Sequence, residues 1–340
     1  DTAVTDAELW ACTTCRACTE ACPVMIEHVD KVVEMRRHRV LAEGRFPAEY
    51  RAVFRNLEVY GDPLGRGHAL REEWATGTKV ERVRDGAPVD VLFWTGCMGA
   101  LYDERSRQTV AAAARVLDKA GVSYAILGRE ESCCGDPARR MGNEYLFQQF
   151  AGRNIETFRR HGIRRIVTQC PHCFNTIKNE YPDLGGKFEV VHTAQFIESL
   201  LEAGRIKLTK SFMQKKLVMH DPCYLARHNN VHESPRAVLD AIPGMTREDV
   251  ANSRRRTFCC GAGGGQFWKE EEHDTARINA TRFDQLLEAK PDTVLALDNA
   301  AKFVVIETPD EVVAKVRSWR ASILIEANGP ASPGRVYRIS

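Results

Sequence analysis

The fold is decided at Val89-Asp-Val-Leu-Phe-Trp94-Thr-Gly-Cys97, an apolar stretch of β-formers that ends on a glycine and a cysteine. With the alanine-rich segment Glu104 to Lys119 behind it, stopped by Gly121, it reads as buried strand, loop cysteine and helix. The beat then repeats. Val122 to Leu127 is a second strand leading into Cys133-Cys134-Gly135, a helix covers Asn143 to Arg160, and a strand from Arg164 to Thr168 delivers Cys170-Pro-His-Cys173. Alternating strands and helices predict an α/β unit with a mostly parallel sheet. Each cysteine group falls just past the carboxyl end of a strand, where open α/β sheets place their sites.

The pattern returns downstream. Leu217 to His220 reads as a strand before Asp221-Pro222-Cys223, Thr257-Phe258 leads into Cys259-Cys260-Gly261, and Thr293 to Leu297 reads as another short strand. Cys97 and Cys223 stand 126 positions apart, as do Cys133 and Cys259, and that constancy marks a duplicated unit. At the same offset Cys170 and Cys173 fall on Ala296 and Asn299, so the second copy lacks its last pair. Lys187-Phe-Glu-Val-Val-His-Thr193 matches Lys302-Phe-Val-Val-Ile-Glu-Thr308 at an offset of only 115, eleven fewer, so residues are missing where a helix carrying the pair should stand.

A chain of 340 residues that is 44% hydrophobic has material for two or three ordinary cores, which excludes a disordered or fibrous protein. Lys plus Arg number 48 against 46 Asp plus Glu, and the resulting +2 is far from the basic excess of a nucleic-acid binder. No stretch approaches the roughly 18 apolar residues of a membrane span, and Asp1 to Trp10 has neither a basic nor an apolar export region. A phosphate-binding G-x4-G-K-S/T and a Ser-His-Asp pattern are both missing, so phosphoryl transfer and hydrolysis get no support.

The twelve cysteines are clustered, which points to metal or disulfides. Disulfide scaffolds are small, secreted and poor in core, unlike this chain. Cys12-Thr-Thr-Cys15-Arg-Ala-Cys18-Thr-Glu-Ala-Cys22-Pro23 is C-x2-C-x2-C-x3-C-P, the bacterial ferredoxin run of a cubane [4Fe-4S] cluster. Zinc sites use separated pairs instead. In two-cluster ferredoxins the fourth cysteine of a run ligates the other cluster, yet only one run is present. Either Cys22 closes the single cluster or a partner run lies upstream; the abrupt start at Asp1 favours the second and leaves room there for a membrane segment. Val29, Val32, Val33, Val40 and Leu41 approximate helical spacing up to Gly44, and Phe46 to Val83 is mixed, with Pro47, Pro63 and several glycines. The expected organisation is an α-helical ferredoxin-type domain over 1–88 ending in a loop-rich linker near Pro88, then α/β domains over 89–208 and 209–340.

Cys97-x35-Cys133-Cys134-Gly135-x34-Cys170-x2-Cys173 resembles the cysteine-rich CCG domain of heterodisulfide reductase catalytic subunits, of the iron–sulfur subunit of anaerobic glycerol-3-phosphate dehydrogenase, and of lactate and glycolate oxidase subunits. The resemblance spans about residues 8 to 325. Pro23-Val-Met-Ile-Glu-His-Val-Asp30 is similar to the membrane-linked iron–sulfur oxidoreductases that pass electrons from electron-transfer flavoprotein to menaquinone. It implies a ferredoxin segment with two runs followed by two tandem CCG domains, a flavoprotein donor, a quinone or membrane subunit as acceptor, and a place at the cytoplasmic face of a membrane. It also implies a noncubane [4Fe-4S] cluster on Cys97, Cys133, Cys134, Cys170 and Cys173. Thiolates are the soft ligands such clusters select, and in a split cluster one sulfur can bridge irons. Zinc on four of the five is the alternative.

Cys223, Cys259 and Cys260 are too few for a five-ligand site. They suit a cubane with an open iron, a zinc completed by His220, Asp221 or His228, or nothing, and the expectation is an altered or empty site. Gly261-Ala-Gly-Gly-Gly265 lets backbone approach a cluster or flavin closely, without the spacing of a dinucleotide fingerprint. Arg36-Arg37-His38-Arg39 and Arg254-Arg255-Arg256 read as solvated faces, or else as docking sites for an acidic flavoprotein or charges that steady a reduced cluster. The function expected is an iron–sulfur module relaying electrons from a flavoprotein toward quinone, which needs no acid–base dyad. One alternative is a heterodisulfide-type thiol–disulfide reductase, which requires a substrate-sized cavity over the noncubane cluster. The other is a zinc-stabilised, non-enzymatic scaffold.

Overall fold

The computed structural model describes residues 4–84, 90–209, 215–269, 277–291, 293–298 and 301–305. Five strands, β1 (Glu81–Arg82), β2 (Val91–Trp94), β3 (Tyr124–Ile126), β4 (Arg165–Thr168) and β5 (Glu189–His192), form a wholly parallel sheet in the order β1-β3-β2-β4-β5. Leu92, Phe93, Trp94, Ile166 and Val167 have no exposed surface. One face packs Leu92, Trp94 and Ile166 against Phe147, Ile155 and Phe158 of the helix Glu144–Arg160. The other packs Phe93 and Val167 against Val110, Ala114 and Leu117 of the helix Glu104–Lys119. Burial on both faces is why β2 reads as an unbroken apolar run and not as an alternation. Both helices start where sequence chemistry places a cap: Asp103 accepts from the Ser106 amide at 2.7 Å and Asn143 from the Leu146 amide at 3.2 Å.

The second sheet is β7-β6-β8-β9, built from β6 (Lys215–His220), β7 (Met245–Glu248), β8 (Thr293–Asp298) and β9 (Ala301–Val305). β6 pairs in parallel with β7 and β8, as the repeat requires, but β9 runs antiparallel to β8, with Asp298 paired to Ala301. This departs from the parallel partner β5 that the Lys302 motif leads one to expect. A parallel pairing needs a crossover of a dozen or more residues, and only two positions lie between Asp298 and Ala301. Loss of the crossover therefore reverses the edge strand.

Residues 46–83, mixed in their sequence reading, are well ordered. They form a helix, Tyr50–Tyr60, whose Tyr50, Val53, Phe54 and Leu57 are buried at helical spacing, then a 3₁₀ segment, His68–Ala75, and β1 on the edge of the first sheet. The helix His28–Leu41 agrees with its sequence reading, Gly44 following with φ +64. The linker end at Pro88, Val89, the Glu307-Thr308 end of the repeated motif and the remainder to 340 lie outside the described residues. Among the described residues no helix is long and apolar enough to cross a membrane.

Candidate metal centre

Three loops of the first repeat bring five sulfurs together. Cys97 follows β2, Cys133 and Cys134 follow β3, and Cys170 and Cys173 follow β4; all five are buried. The thiols hydrogen-bond in a row, Cys97 to Cys133 to Cys134 to Cys173 to Cys170. Gly96 makes the approach possible, since a Cβ there would stand 3.3 Å from Cys173 Sγ on a backbone with φ +72. Hydrogen bonds from neighbouring thiols, and burial, hold Cys97, Cys133, Cys134 and Cys173 well above the ordinary thiol value. Neutral thiols packed this tightly become thiolates only when a cation replaces the protons.

The row floors a narrow cleft of about 60 Å³, with Met98, Phe267 and Trp268 among its walls. Among the described residues no three His, Cys, Asp or Glu side chains close around a point as a single-ion site; the thiols line a cleft and do not form a cage. The other ligating side chains in the wall are occupied with each other: His172 Nδ1 meets Asp136 Oδ2 at 2.8 Å, and Arg140 Nε donates to Asp136 Oδ1 at 3.0 Å. Burial would raise the Asp136 pKa, but His172 and Arg140 outweigh it and hold the carboxyl below its usual range. The donors left free to ligate are sulfur, the set an iron–sulfur cluster selects. Donors also point at sulfur: Gly135 N lies 3.4 Å from Cys133 Sγ, and Arg71 Nη2 lies 3.2 Å from Cys97 Sγ. Arg71 is buried and paired with Glu131, and sequence reading missed both, because nothing in the text ties a 3₁₀ segment to a loop three strands further on.

The second thiol group joins distant segments. Cys15 hydrogen-bonds Cys259, Cys259 hydrogen-bonds Cys260, and Cys259 Sγ donates to Thr13 Oγ1 at 3.2 Å. The Cys259 pKa is pushed up to about 12, the lowering by Cys15 being outweighed by Cys260 and burial. Cys15 and Cys18 lie near enough to Cys12 to act on it electrostatically. Cys22 turns away from this group, its sulfur accepting from the amides of Ile26, Val24 and Met25, which lowers its pKa. Cys223 is buried at the head of the helix Cys223–Asn229. The duplicated turn is preserved: Gly261 N reaches Cys259 Sγ at 3.3 Å with φ +85, matching Gly135 at φ +88.

Three devices fasten the two thiol groups to each other. The glycine run lies on the N-terminal loop, where a Cβ at Gly263 or Gly264 would come within 2.4 Å of Thr13 O or Cys12 O, while its other side lines the cleft. It thus brings backbone up to backbone. Tyr224 stacks between His172 at 4.0 Å and His228 at 4.1 Å, its hydroxyl is 2.8 Å from Thr14 Oγ1, and His228 Nε2 donates to Thr14 O at 3.0 Å. Arg36 has no exposed surface and donates to Leu9 O, Cys12 O, Arg140 O and Gly264 O, with no carboxylate partner among the described residues. This corrects its reading as a solvated docking residue. Arg254 and Arg255, by contrast, stay two-fifths exposed in surface ion pairs, to Glu233 and Asp249 and to Glu20, as a solvated face requires. His220 accepts from Arg282, Asp221 is held by Arg236, and His228 holds Thr14, so all three do structural duty.

Comparison with known proteins agrees with this geometry. The family described as Cysteine-rich domain matches residues 91–178 and 217–300, both repeats. The chain is 41% identical over 298 residues to the probable iron-sulfur-binding oxidoreductase FadF of Bacillus subtilis, covering 86% of this chain and 42% of the relative. It is 42% identical over 298 residues to the EtfAB:quinone oxidoreductase of Syntrophomonas wolfei, covering 84% and 41%. To a subunit of the dihydromethanophenazine:CoB--CoM heterodisulfide reductase of Methanosarcina barkeri it is 33% identical over 265 residues, covering 76% and 63%. The chain thus spans well under half the length of the first two relatives. No solved structure matches it. With five thiols in one cleft, a duplicated CCG turn and a match across both repeats, the chain belongs to the cysteine-rich domain family.

Proposed function

We propose that this chain is the iron–sulfur electron-transfer module of an oxidoreductase, taking electrons from a flavoprotein and passing them toward a membrane quinone at the cytoplasmic face. Cys97, Cys133, Cys134, Cys170 and Cys173 hold a noncubane [4Fe-4S] cluster, Cys12, Cys15 and Cys18 hold a cubane, and Cys22 is directed to a neighbouring cluster. Cys223, Cys259 and Cys260 are an altered site, for zinc or a changed cluster. Bound clusters supply single-electron acceptance and release. The chain's own residues do the rest: the sulfurs bind, backbone amides and Arg71 hydrogen-bond them, and Tyr224 and Arg36 fix one thiol group against the other. The observation that carries the reading is the gathering of five buried thiols from three loops in one cleft.

Likeness to a heterodisulfide reductase subunit supports a second reading, reduction of a disulfide at the noncubane centre. A zinc-stabilised scaffold is the third. Anaerobic purification with iron and sulfide quantitation and EPR decides among them. We expect iron with acid-labile sulfide and two distinct signals, reducible by an electron-transfer flavoprotein and not by a thiol couple. Cys133→Ser should remove one signal and spare the other. Zinc alone, or both signals persisting in that variant, would sink the assignment.

A further inference from the structure

Arg71 lies 26 positions before Cys97, outside both segments matched to the family. Its side chain is 0% exposed and that of its partner Glu131 is 2% exposed. Nη2 donates to Cys97 Sγ at 3.2 Å and Gly61 O at 3.3 Å, and Nη1 donates to Glu131 Oε1 at 3.1 Å. Glu131 is itself fixed by the loop that carries Cys97, accepting from Thr95 N at 3.1 Å, Thr95 Oγ1 at 3.0 Å and Gly96 N at 2.8 Å. The guanidinium is therefore aimed at the sulfur by a carboxylate that the sulfur's own loop holds.

Such an ion pair is an expensive way to fill a core, since a buried pair is commonly no better for stability than apolar side chains of the same volume. A neutral thiol is also a weak acceptor. A thiolate that ligates an electron-accepting centre is a charge-assisted acceptor, and each electron added strengthens its attraction to a fixed cation in a low-dielectric site. Glu131 acts with the opposite sign. We infer that Arg71 and Glu131 are positioning residues that set the electron affinity of the centre on Cys97 to Cys173, Arg71 favouring its reduced form and Glu131 its oxidised form. The inference rests on the reading of those thiols as an iron–sulfur site. The step it concerns adds one electron to that centre and transfers no atoms, with dithionite as the reductant in the titration.

The test is an EPR-monitored redox titration of the whole chain, purified anaerobically, as wild type, Arg71→Gln, Arg71→Lys and Glu131→Gln. Arg71→Gln should lower the reduction equilibrium of the Cys133-dependent signal at least tenfold, 59 mV for a one-electron couple. Arg71→Lys should shift it less, because the charge stays and only the fork is lost. Glu131→Gln should shift it upward. If Arg71→Gln does not load a cluster, Arg71→Lys and Glu131→Gln carry the opposite-sign test alone. Loaded variants whose potentials stay at the wild-type value, or move in the same direction, would overturn the inference while leaving the site reading intact. A wild-type chain with no Cys133-dependent signal would overturn both.

Discussion

His228 shows how a single side chain ties function to stability. It is part-buried and stacked on Tyr224, and desolvation, then the charge of Arg140, pushes its pKa down to about 3. Unfolded histidine titrates near 6.5. Between those values the unfolded chain binds a proton that the folded one refuses, so stability is lost as pH falls from about 6.5 toward 3, by up to about 1.4 kcal/mol per pH unit. His228→Asn should be less stable than wild type at pH 7, by about 1 to 2 kcal/mol for the lost hydrogen bond and contact. The gap should narrow as pH drops. Denaturant unfolding at pH 7 and pH 5.5 measures it, and a gap that widens on acidification would contradict the buried neutral imidazole.

At the scale of elements, the glycine run and the helix Tyr50–Tyr60 teach opposite lessons. Gly264 and Gly44 both have positive φ, +66 and +64, but a Cβ on Gly264 would meet Cys12 O at 2.4 Å whereas one on Gly44 meets nothing within 4 Å. Gly44→Ala should cost only backbone strain, about 1 kcal/mol. Gly264→Ala should cost clearly more and should alter the EPR line shape of the N-terminal cluster; equal stabilities and unchanged spectra for both would refute the close packing. What was legible here followed periodicity. The helix Glu104–Lys119 has the bounds its alanines and Gly121 suggest, and the strands before Cys97, Cys133, Cys170 and Cys223 lie where apolar runs put them; no strand forms at Thr257-Phe258, and β7, never fully buried along its length, was missed. The helix Tyr50–Tyr60 was hidden by its flanking Pro47, Pro63 and glycines, although its apolar spacing is regular. The reversal of β9 was not legible from its residues, because strand direction depends on the length of connection and not on strand composition.

At the scale of the molecule, contacts across the whole sequence decide how the parts cooperate. Thr13 and Cys259 are 246 positions apart and their side chains meet at 3.2 Å. Arg36 alone bonds the N-terminal loop, Arg140 of the first repeat and Gly264 of the second. No local pattern in the text announces such pairs, which is why the cysteine groups could be read as sets but not as neighbours. Because these contacts span all three parts, stripping iron anaerobically with a chelator should lower the melting temperature of the whole chain in one cooperative transition, since ligand binding to the folded state stabilises whatever folds with it. Calorimetry resolving an N-terminal transition that shifts alone would show the parts to be independent.

The wall at Gly263 to Gly265 is made of main chain and nothing else. A partition without side chains can only be thickened: any replacement at Gly263 or Gly264 inserts atoms between it and the loop of Cys12 and Thr13, and none can remove any. Inherited variation at these two positions is therefore constrained in one direction, able to push that loop away but never to draw it closer.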